Sequence, residues 1–366
     1  MEEFASMSNQ TTQFPTDACI ILTYRCQMRC QMCNIWQNPS DPAREITAEE
    51  LKILPAGFEF INLTGGEPFL RDDLEKIISV LSSKAKRIVV STSGWHYERI
   101  LRIVPRFKNV GVRVSIEGLG RKNDELRGRD GGFDRGLKTL LGLKQAGVKD
   151  IGFGITVSNH NSEDMLWLYE LGKSMGLEFA TAAFHNSYYF HKDDNKITNV
   201  EAVCENFRKL ANMQMRENSP KSWFRALFNL GLIRYINREK RMLPCEAGTM
   251  NFFIDPYGEV YPCNGLEEKY WKESMGNIRQ AESFDRIWLS EKADQVRARV
   301  RTCPKNCWMV GTASPVMHKY VKKIAPWILR NKVKCLLGRP TDAHAPFFDV
   351  GQDHRQGDLR KKHAGD

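Results

Sequence analysis

Tyr24-Arg25-Cys26-Gln27-Met28-Arg29-Cys30-Gln31-Met32-Cys33 decides the reading of this chain. It follows a short apolar run, 18–23, that reads as a β-strand. Three cysteines at C-x3-C-x2-C spacing on one loop let their thiolates converge on a single soft iron–sulfur centre. Three thiolates leave one iron of a four-iron cluster open, and an open iron can bind a substrate. A structural zinc site is the alternative. Zinc normally takes four closed ligands, and no fourth Cys or His lies nearby in sequence.

Working outward, the segment from residue 17 to about 190 alternates short apolar runs with helical patterns. Runs at 18–23, 60–64, 87–91, 110–116, 151–157 and 179–183 are β-branched or aromatic and bounded by Gly or polar residues. Between them, Thr47 and Glu50 are spaced as a capping box opening a helix. Leu74, Ile77, Ile78 and Leu81 share one helical face. Leu137, Leu140, Leu141, Leu143 and Ala146 do the same before Gly147. Six β–α units in a row imply an α/β fold, a parallel sheet with helices outside. Six strands are too few for the closed eight-stranded barrel, so the expectation is a partial (β/α)6 barrel. Such architectures carry their chemistry at strand C-termini. Cys26, Gly65, Ser91, Ser115 and Val157 all fall at or just beyond those ends.

The expected organisation is a polar segment at 1–16, the partial barrel at 17–198, a helical linker at 199–243 and a cysteine-rich hairpin domain at 244–317. A basic helical segment at 318–341, broken at Pro326, and a polar disordered tail at 342–366 follow. The 366 residues include ten cysteines, seven of them in tight or motif-like spacings. No apolar run approaches the roughly 18 residues that span a bilayer, and 1–16 lacks a secretion signal. A cytoplasmic location is the default, and there clustered cysteines read as metal ligands rather than disulfides. The formal charge is +10, and residues 318–366 hold 11 Lys/Arg against 5 Asp/Glu. A basic balance favours an anionic partner: a phosphorylated substrate, nucleic acid or a membrane surface. A solvated basic tail is the plain alternative.

The loop from Tyr24 to Cys33 resembles the signature loop of the radical S-adenosylmethionine (SAM) superfamily. The resemblance implies that Cys26, Cys30 and Cys33 hold a [4Fe–4S] cluster whose fourth iron chelates SAM. One electron then splits SAM into methionine and a 5′-deoxyadenosyl radical, which removes a hydrogen atom from the substrate. It also implies an external reductant such as flavodoxin or ferredoxin, and no nucleic-acid partner. Met32 holds the position beside the adenine. Gly65-Gly66-Glu67-Pro68 follows a strand end, as the family's glycine-rich segment does. Its glycines permit close backbone approach, and its carbonyls and the Glu67 carboxylate offer acceptors to an ammonium group. Thr92-Ser93-Gly94 resembles the family's Thr-Asn-Gly turn, with Ser93 in place of Asn. Ser115-Ile116-Glu117-Gly118 resembles its Ser-x-Asp-Gly, which implies that Ser115 contacts SAM's ribose or carboxylate. Arg127 matches an arginine that pairs with the SAM carboxylate, a natural role for a guanidinium fork. Its loop also holds Arg121, Lys122 and Arg129, so a surface arginine is the alternative.

Cys245, Cys263, Cys303 and Cys307 form a second set, with two short strands around Asp255-Pro256-Tyr257-Gly258 making a hairpin. The arrangement resembles the SPASM/twitch domains of radical SAM enzymes, in the shorter version with one auxiliary [4Fe–4S] cluster. Four thiolates also suit zinc. The spacing of Cys245 and Cys263 resembles that of twitch dehydrogenases acting on aminocyclitols. The expected reaction is therefore hydrogen abstraction from a carbohydrate-like or cyclitol substrate, a phosphate-bearing one being in keeping with the basic charge. The auxiliary cluster would accept an electron or anchor substrate. Peptide modification and radical epimerisation are the alternatives within the family, and a zinc-stabilised binding protein is the alternative outside it. In sulfatase-maturating enzymes an Asp follows the hairpin cysteine as base. Here Asn264 stands there and cannot take a proton. Asp255 and Glu267 are nearby carboxylates.

Among the remaining candidates, Cys19 reads as a buried small residue and Cys204 as core or a hydrogen donor. His185, Tyr188, Tyr189 and His191 form a candidate pocket wall. Val321, Ile324, Trp327 and Ile328 among lysines read as a basic amphipathic helix, packed on the body or resting peripherally on anionic lipid.

Overall fold

The computed structural model describes residues 14–265, 273–342, 346 and 348. Glu267, most of the 1–16 segment and nearly all of the 342–366 tail lie outside the described residues. The strands are β1 (Asp17–Ile21), β2 (Phe58–Thr64), β3 (Ala85–Thr92), β4 (Val110–Ser115), β5 (Ile151–Val157), β6 (Glu178–Ala183), β7 (Asn251–Ile254), β8 (Glu259–Tyr261) and β9 (Gly276–Asn277). The helices of the first half are α1 (Leu74–Ser82), α2 (Tyr97–Ile103), α3 (Arg121–Arg127), α4 (Gly132–Gln145) and α5 (Asp164–Ser174). Those of the second half are α6 (Val200–Arg216), α7 (Pro220–Ile236), α8 (Phe284–Trp288), α9 (Glu291–Arg301), α10 (Val310–Lys319) and α11 (Val321–Leu336).

All nine strands join one sheet in the order β6-β5-β4-β3-β2-β1-β7-β8-β9. Strands β1 to β6 are parallel neighbours, which is the open partial barrel expected of the sequence. Their near-continuous apolar runs follow from burial on both faces. Ile61, Leu63, Ile88, Val90, Val112, Val114 and Phe153 are all buried in the main core. The hairpin β7–β8 is not a separate layer. β7 pairs in parallel with β1, with Ala18 opposite Phe252 and Ile20 opposite Ile254. The cysteine-rich C-terminal part thus continues the barrel's own sheet.

Two local expectations differ from what forms. The Thr47/Glu50 capping box is made, with Thr47 N–H donating to Glu50 Oε2 at 2.7 Å and Glu50 N–H to Thr47 Oγ1 at 3.3 Å. It opens only a 3-10 turn, Glu50–Ile53, because Leu54 precedes Pro55 and so takes an extended backbone. In the C-terminal segment the break falls at Tyr320, between α10 and α11, and Pro326 lies inside α11. Buried Ile324, Trp327 and Ile328 hold that helix through its proline.

The loop after β1 is pinned from three sides by main-chain hydrogen bonds. From the β2 end, Gly66 N–H donates to Thr23 O at 2.7 Å and Glu67 N–H to Arg25 O at 2.9 Å. From the α3 end, the carbonyls of Arg127 and Leu126 accept from Arg29 N–H at 3.1 Å and Gln31 N–H at 3.0 Å. Beyond β6, Phe190 O accepts from Asn34 N–H at 2.8 Å. The glycine requirement follows from this approach. A Cβ on Gly66 would lie 2.1 Å from Arg25 O, and one on Gly65 2.5 Å from Thr23 O.

Gly66→Ala is therefore expected to cost about 1–3 kcal/mol of stability, because the backbone must shift to admit the methyl group. Gly311→Ala on α10, where a Cβ meets nothing within 4 Å, is expected to be neutral or to gain up to about 1 kcal/mol from helix propensity. Denaturant unfolding of the two variants checks the contrast, and equal effects would refute it.

Candidate active site and auxiliary cysteine site

A cavity of about 280 Å³ opens at the C-terminal ends of the barrel strands. Cys26, Cys30 and Cys33 line it, each half-buried. Burial pushes the Cys26 and Cys33 thiols up to about 12, and the Glu67 carboxylate adds to the rise at Cys26. Cys30 is raised by burial too, opposed by the Arg127 guanidinium. Thiols in such surroundings ionise when a metal supplies the compensating charge. Met32, Gly65, Gly66, Ser93, Ser115 and Arg127 line the same cavity. Met32 is itself buried, and its carbonyl accepts from Asn195 Nδ2 at 3.0 Å.

Glu67 departs from the sequence expectation. It is fully buried and does not line the cavity. Its carboxylate accepts from Thr92 Oγ1 and from Ser93 N–H, both at 2.8 Å, from Ser93 Oγ at 2.5 Å, and from Phe69 N–H at 3.2 Å. It is a strut joining the glycine turn to the end of β3, committed within the protein rather than facing a ligand's ammonium group. The Ser93 hydroxyl is committed likewise, donating to Glu67 and accepting from Gln27 Nε2 at 2.9 Å. The carbonyls of Gly65 and Gly66 remain on the wall. Tyr189 OH donates to Gly65 O at 2.9 Å.

Arg127 is not a surface arginine. It is buried at the end of α3, 3.7 Å from Glu117 Oε1. Burial alone would lower its pKa, but Cys30 and Glu117 hold it above the ordinary value. Glu117 is pushed up to about 7 by burial, against the pull of Arg127 and a 2.6 Å hydrogen bond donated by Thr156 N–H. Sequence reading quoted Glu117 as part of a motif but gave it no role. Its signal was the motif position itself, where a longer carboxylate replaces Asp.

Of the expected aromatic and imidazole wall, His185 and Tyr189 line the cavity, joined by Phe190. Tyr188 and His191 do not; His191 packs edge-on against Tyr24, with ring centroids 5.4 Å apart. His185 Nδ1 lies 2.9 Å from Ala183 O and so carries a proton donated to that carbonyl. Cys19 lies on the cavity floor with Sγ 3.8 Å from Asn62 Oδ1, a more polar place than simple packing. Cys204 is buried on α6 in the main core, away from the cavity wall. Asp255 is the hairpin's turn residue, accepting from Tyr257 and Glu259 N–H at 2.9 Å. Trp36, Asn62, Tyr235, Trp308 and Met309 line the cavity without having been singled out. They come from four separate places in the chain, and no local pattern marks them.

At the second site, the thiols of Cys245 and Cys263 are raised by burial and by the charges of Cys303 and Cys307, so all four lie within electrostatic reach of one another. Asn264, next to Cys263, lines the active-site cavity together with Trp308 and Met309, which follow Cys307. Residues adjoining two of the auxiliary cysteines therefore reach the cavity wall, while the four cysteines themselves do not line it. Among the described residues, no three His, Cys, Asp or Glu side chains close around a single metal ion. The donor sets at both places suit clusters: soft thiolates, buried, with a guanidinium at hand.

Residues 20–171 match the family model for the radical SAM superfamily, and residues 245–309 match that for an iron–sulfur cluster-binding domain. The chain is a radical SAM enzyme with a C-terminal cluster-binding domain, and its cofactors are SAM, a [4Fe–4S] cluster and auxiliary iron–sulfur. Residues 245–309 contain four cysteines, enough for one auxiliary cluster. It is 27% identical to the AdoMet-dependent heme synthase of Methanosarcina barkeri, over 73% of this chain and 80% of that one. It is 25% identical to the sporulation killing factor maturation protein SkfB of Bacillus subtilis, over 79% and 68%. In fold it is similar to Streptococcus suis SuiB bound to precursor peptide SuiA, with TM-score 0.58 at 17% identity, covering 78% and 67%. None of these three names a carbohydrate or cyclitol, so the substrate expectation built on cysteine spacing is not supported.

The Glu117–Arg127 pair has a consequence for pH. The folded Glu117 carboxyl, raised from 4.5 to about 7, binds a proton between those values that the unfolded chain has released. Folded protein then binds more protons, so stability falls as pH rises through that window. Glu117→Gln is expected to flatten this slope. Denaturant unfolding of wild type and variant between pH 5 and 7.5 checks it, and parallel pH profiles would remove the raised carboxyl.

Proposed function

We propose that this enzyme modifies a peptide by hydrogen abstraction. The observation that carries the reading is the chemistry of the cavity wall between the two cysteine sites. Asn62, Asn195 and Asn264 offer amides, and Trp36, Tyr189, Phe190, Tyr235 and Trp308 offer rings. Amides pair with peptide groups and rings pack on side chains. Among the described residues Arg127 is the single Lys or Arg on that wall, and it faces Glu117. In this reading that cation serves the SAM carboxylate. The maturation role in the name of SkfB and the peptide bound to SuiB support the same choice. The heme synthase relative supports a tetrapyrrole as the second reading.

In this proposal Cys26, Cys30 and Cys33 hold the first cluster, and Met32, Gly65, Gly66, Ser115 and Arg127 hold SAM. Cys245, Cys263, Cys303 and Cys307 hold the auxiliary cluster. When bound, SAM and the first cluster supply a carbon radical that removes a hydrogen atom, with an external flavodoxin or ferredoxin as electron source. Asn264 cannot accept a proton, and His185, whose Nδ1 donates to Ala183 O, offers Nε2 on the wall as an acceptor for one from the substrate. Arg127 orients SAM's carboxylate through its fork, and Glu117 fixes the fork.

Anaerobic protein is expected to hold about eight irons per chain. It should move deuterium from a perdeuterated peptide library into 5′-deoxyadenosine, and Cys30→Ala should abolish that product. Label arriving only from an iron porphyrin would transfer the assignment to the second reading. Stoichiometric zinc without iron would end both.

A membrane contact also belongs to this reading. No helix among the described residues is long and apolar enough to cross a membrane. Yet Leu329, Val333, Leu336 and Leu337 are 57, 54, 72 and 66% exposed, along the side of α11 facing away from buried Ile324 and Ile328. A helix apolar on both sides has a partner. No Asp or Glu occurs from residue 310 to 341, while Lys322, Lys323 and Arg339 are exposed. Apolar contact ringed by cations fits anionic lipid. Co-sedimentation is expected with phosphatidylglycerol vesicles and not with phosphatidylcholine, and Leu329→Glu with Leu336→Glu should abolish it. Absence of lipid binding, with the face instead buried in a dimer seen by light scattering, would overturn the contact.

A further inference from the structure

Four arginines are buried among the described residues: Arg71, Arg127, Arg241 and Arg297. Three of them face a carboxylate. Arg71 lies 2.6 Å from Asp73, Arg127 3.7 Å from Glu117, and Arg297 2.7 Å from Asp294. Arg241, the least exposed of the four at 2%, forms no ion pair with a described residue. Its guanidinium donates only to main-chain carbonyls: Nε to Leu243 O at 2.9 Å, Nη1 to Cys307 O at 2.6 Å and Nη2 to Thr312 O at 2.9 Å. Its Cζ sits 5.0 Å from the centre of the Trp308 ring.

A buried cation without a counter-charge is costly, and carbonyl dipoles offset only part of the cost. The neighbouring groups able to carry negative charge are the auxiliary thiols. Arg241 is hydrogen-bonded to the main chain of Cys307, and its charge reaches Cys245, where it opposes the effect of burial. Four thiolates around a [4Fe–4S] cube leave it net negative in both redox states, and more so when reduced. A fixed cation beside it stabilises the reduced state more than the oxidised one.

We propose that Arg241 is the counter-cation of the auxiliary site, a positioning residue that ties the 303–312 segment to residue 243 and raises the reduction potential of the cluster held by Cys245, Cys263, Cys303 and Cys307. This rests on those four cysteines being its ligands. The guanidinium supplies both halves of the role. Its fork fixes the segment that holds Cys307 and carries Trp308 and Met309 to the cavity wall, and its charge favours electron acceptance there. At the first site the corresponding guanidinium, Arg127, faces a carboxylate, Glu117 at 3.7 Å.

The test uses full-length protein with Cys26, Cys30 and Cys33 all changed to Ala, so that only the auxiliary cluster remains. That background must first hold about four irons per chain. Their absence would overturn the ligand assignment itself, before Arg241 is touched. With the cluster present, Arg241→Gln is expected to lower the midpoint potential, read by electron paramagnetic resonance during redox titration. The expected drop is at least tenfold in the reduction equilibrium, 59 mV for one electron. Arg241→Lys keeps the charge and is expected to keep the wild-type potential while the less rigid ammonium weakens the tie, seen as a lower unfolding temperature. An unchanged potential in Arg241→Gln, or an equal drop in Arg241→Lys, would overturn the proposal. If Arg241→Gln retains no iron, Arg241→Lys decides. Iron retained at the wild-type potential supports the charge, and iron lost from both variants overturns it.

Discussion

Everything in this molecule depends on how one loop of main chain, Thr23 to Asn34, is held. It has no helix or strand of its own and few internal hydrogen bonds, Cys33 N–H to Cys30 O at 3.2 Å among them, so most of its support comes from outside. It comes from the ends of β2, α3 and the turn beyond β6, each offering backbone groups to it. The close approach at Gly65 and Gly66 is a contact between two stretches of protein backbone, made before any ligand arrives. Gly128, at φ +64°, repeats the arrangement from the other side, where a Cβ would lie 2.3 Å from Arg29 O. Three half-buried thiols on an otherwise floppy loop are thereby fixed relative to four parallel strands. A site on rigid supports needs little reorganisation when its cofactors bind.

The parallel sheet was legible because its strands are buried on both faces and read as uninterrupted apolar runs, each ending near a residue of the site. Boundaries moved by one or two residues, as at β2, where Phe58 extends the strand below Phe60. What the chain did not disclose locally was the docking of β7 on β1. Residues 17–20 and 251–254 are far apart in sequence, and their parallel pairing has no turn signal. Arg127 shows the same limit in side chains. Its neighbours Arg121, Lys122 and Arg129 make the segment look solvated, yet Arg127 points inward because the helix α3 ends there at Gly128 and presents its last turn to the cysteine loop. Glu67 shows the reverse: a residue chosen for reaching a ligand is consumed in bracing β3. Motifs identified which residues matter, while their contacts depended on strand order.

The β1–β7 pairing also decides how the two cysteine sites face each other. Strand β1 leads into Cys26 and β8 leads into Cys263, and β7 lies between them in the sheet. The space between is filled by a second apolar cluster of Ile21, Tyr24, Ile35, Tyr189, Phe253 and Tyr261, against which Cys26, Cys33 and Cys263 pack. Tyr189 and Phe253 stand 6.1 Å apart, and Phe253 and Tyr261 5.6 Å. A layer of interlocked rings excludes water and resists deformation. The distance between the two sites is therefore set by sheet register and ring packing rather than by a linker.

Electrostatics divides the two sites further. At the first, Arg127 and Glu117 form a buried pair whose net charge depends on the protonation of Glu117, raised to about 7. At the second, Arg241 donates to three main-chain carbonyls and faces no carboxylate among the described residues. With the proposed ligand sets, the Arg241 charge favours the reduced state of the auxiliary site. Glu246, the buried carboxylate beside Cys245, does not cancel that charge, because it is paired with Lys319 at 2.6 Å.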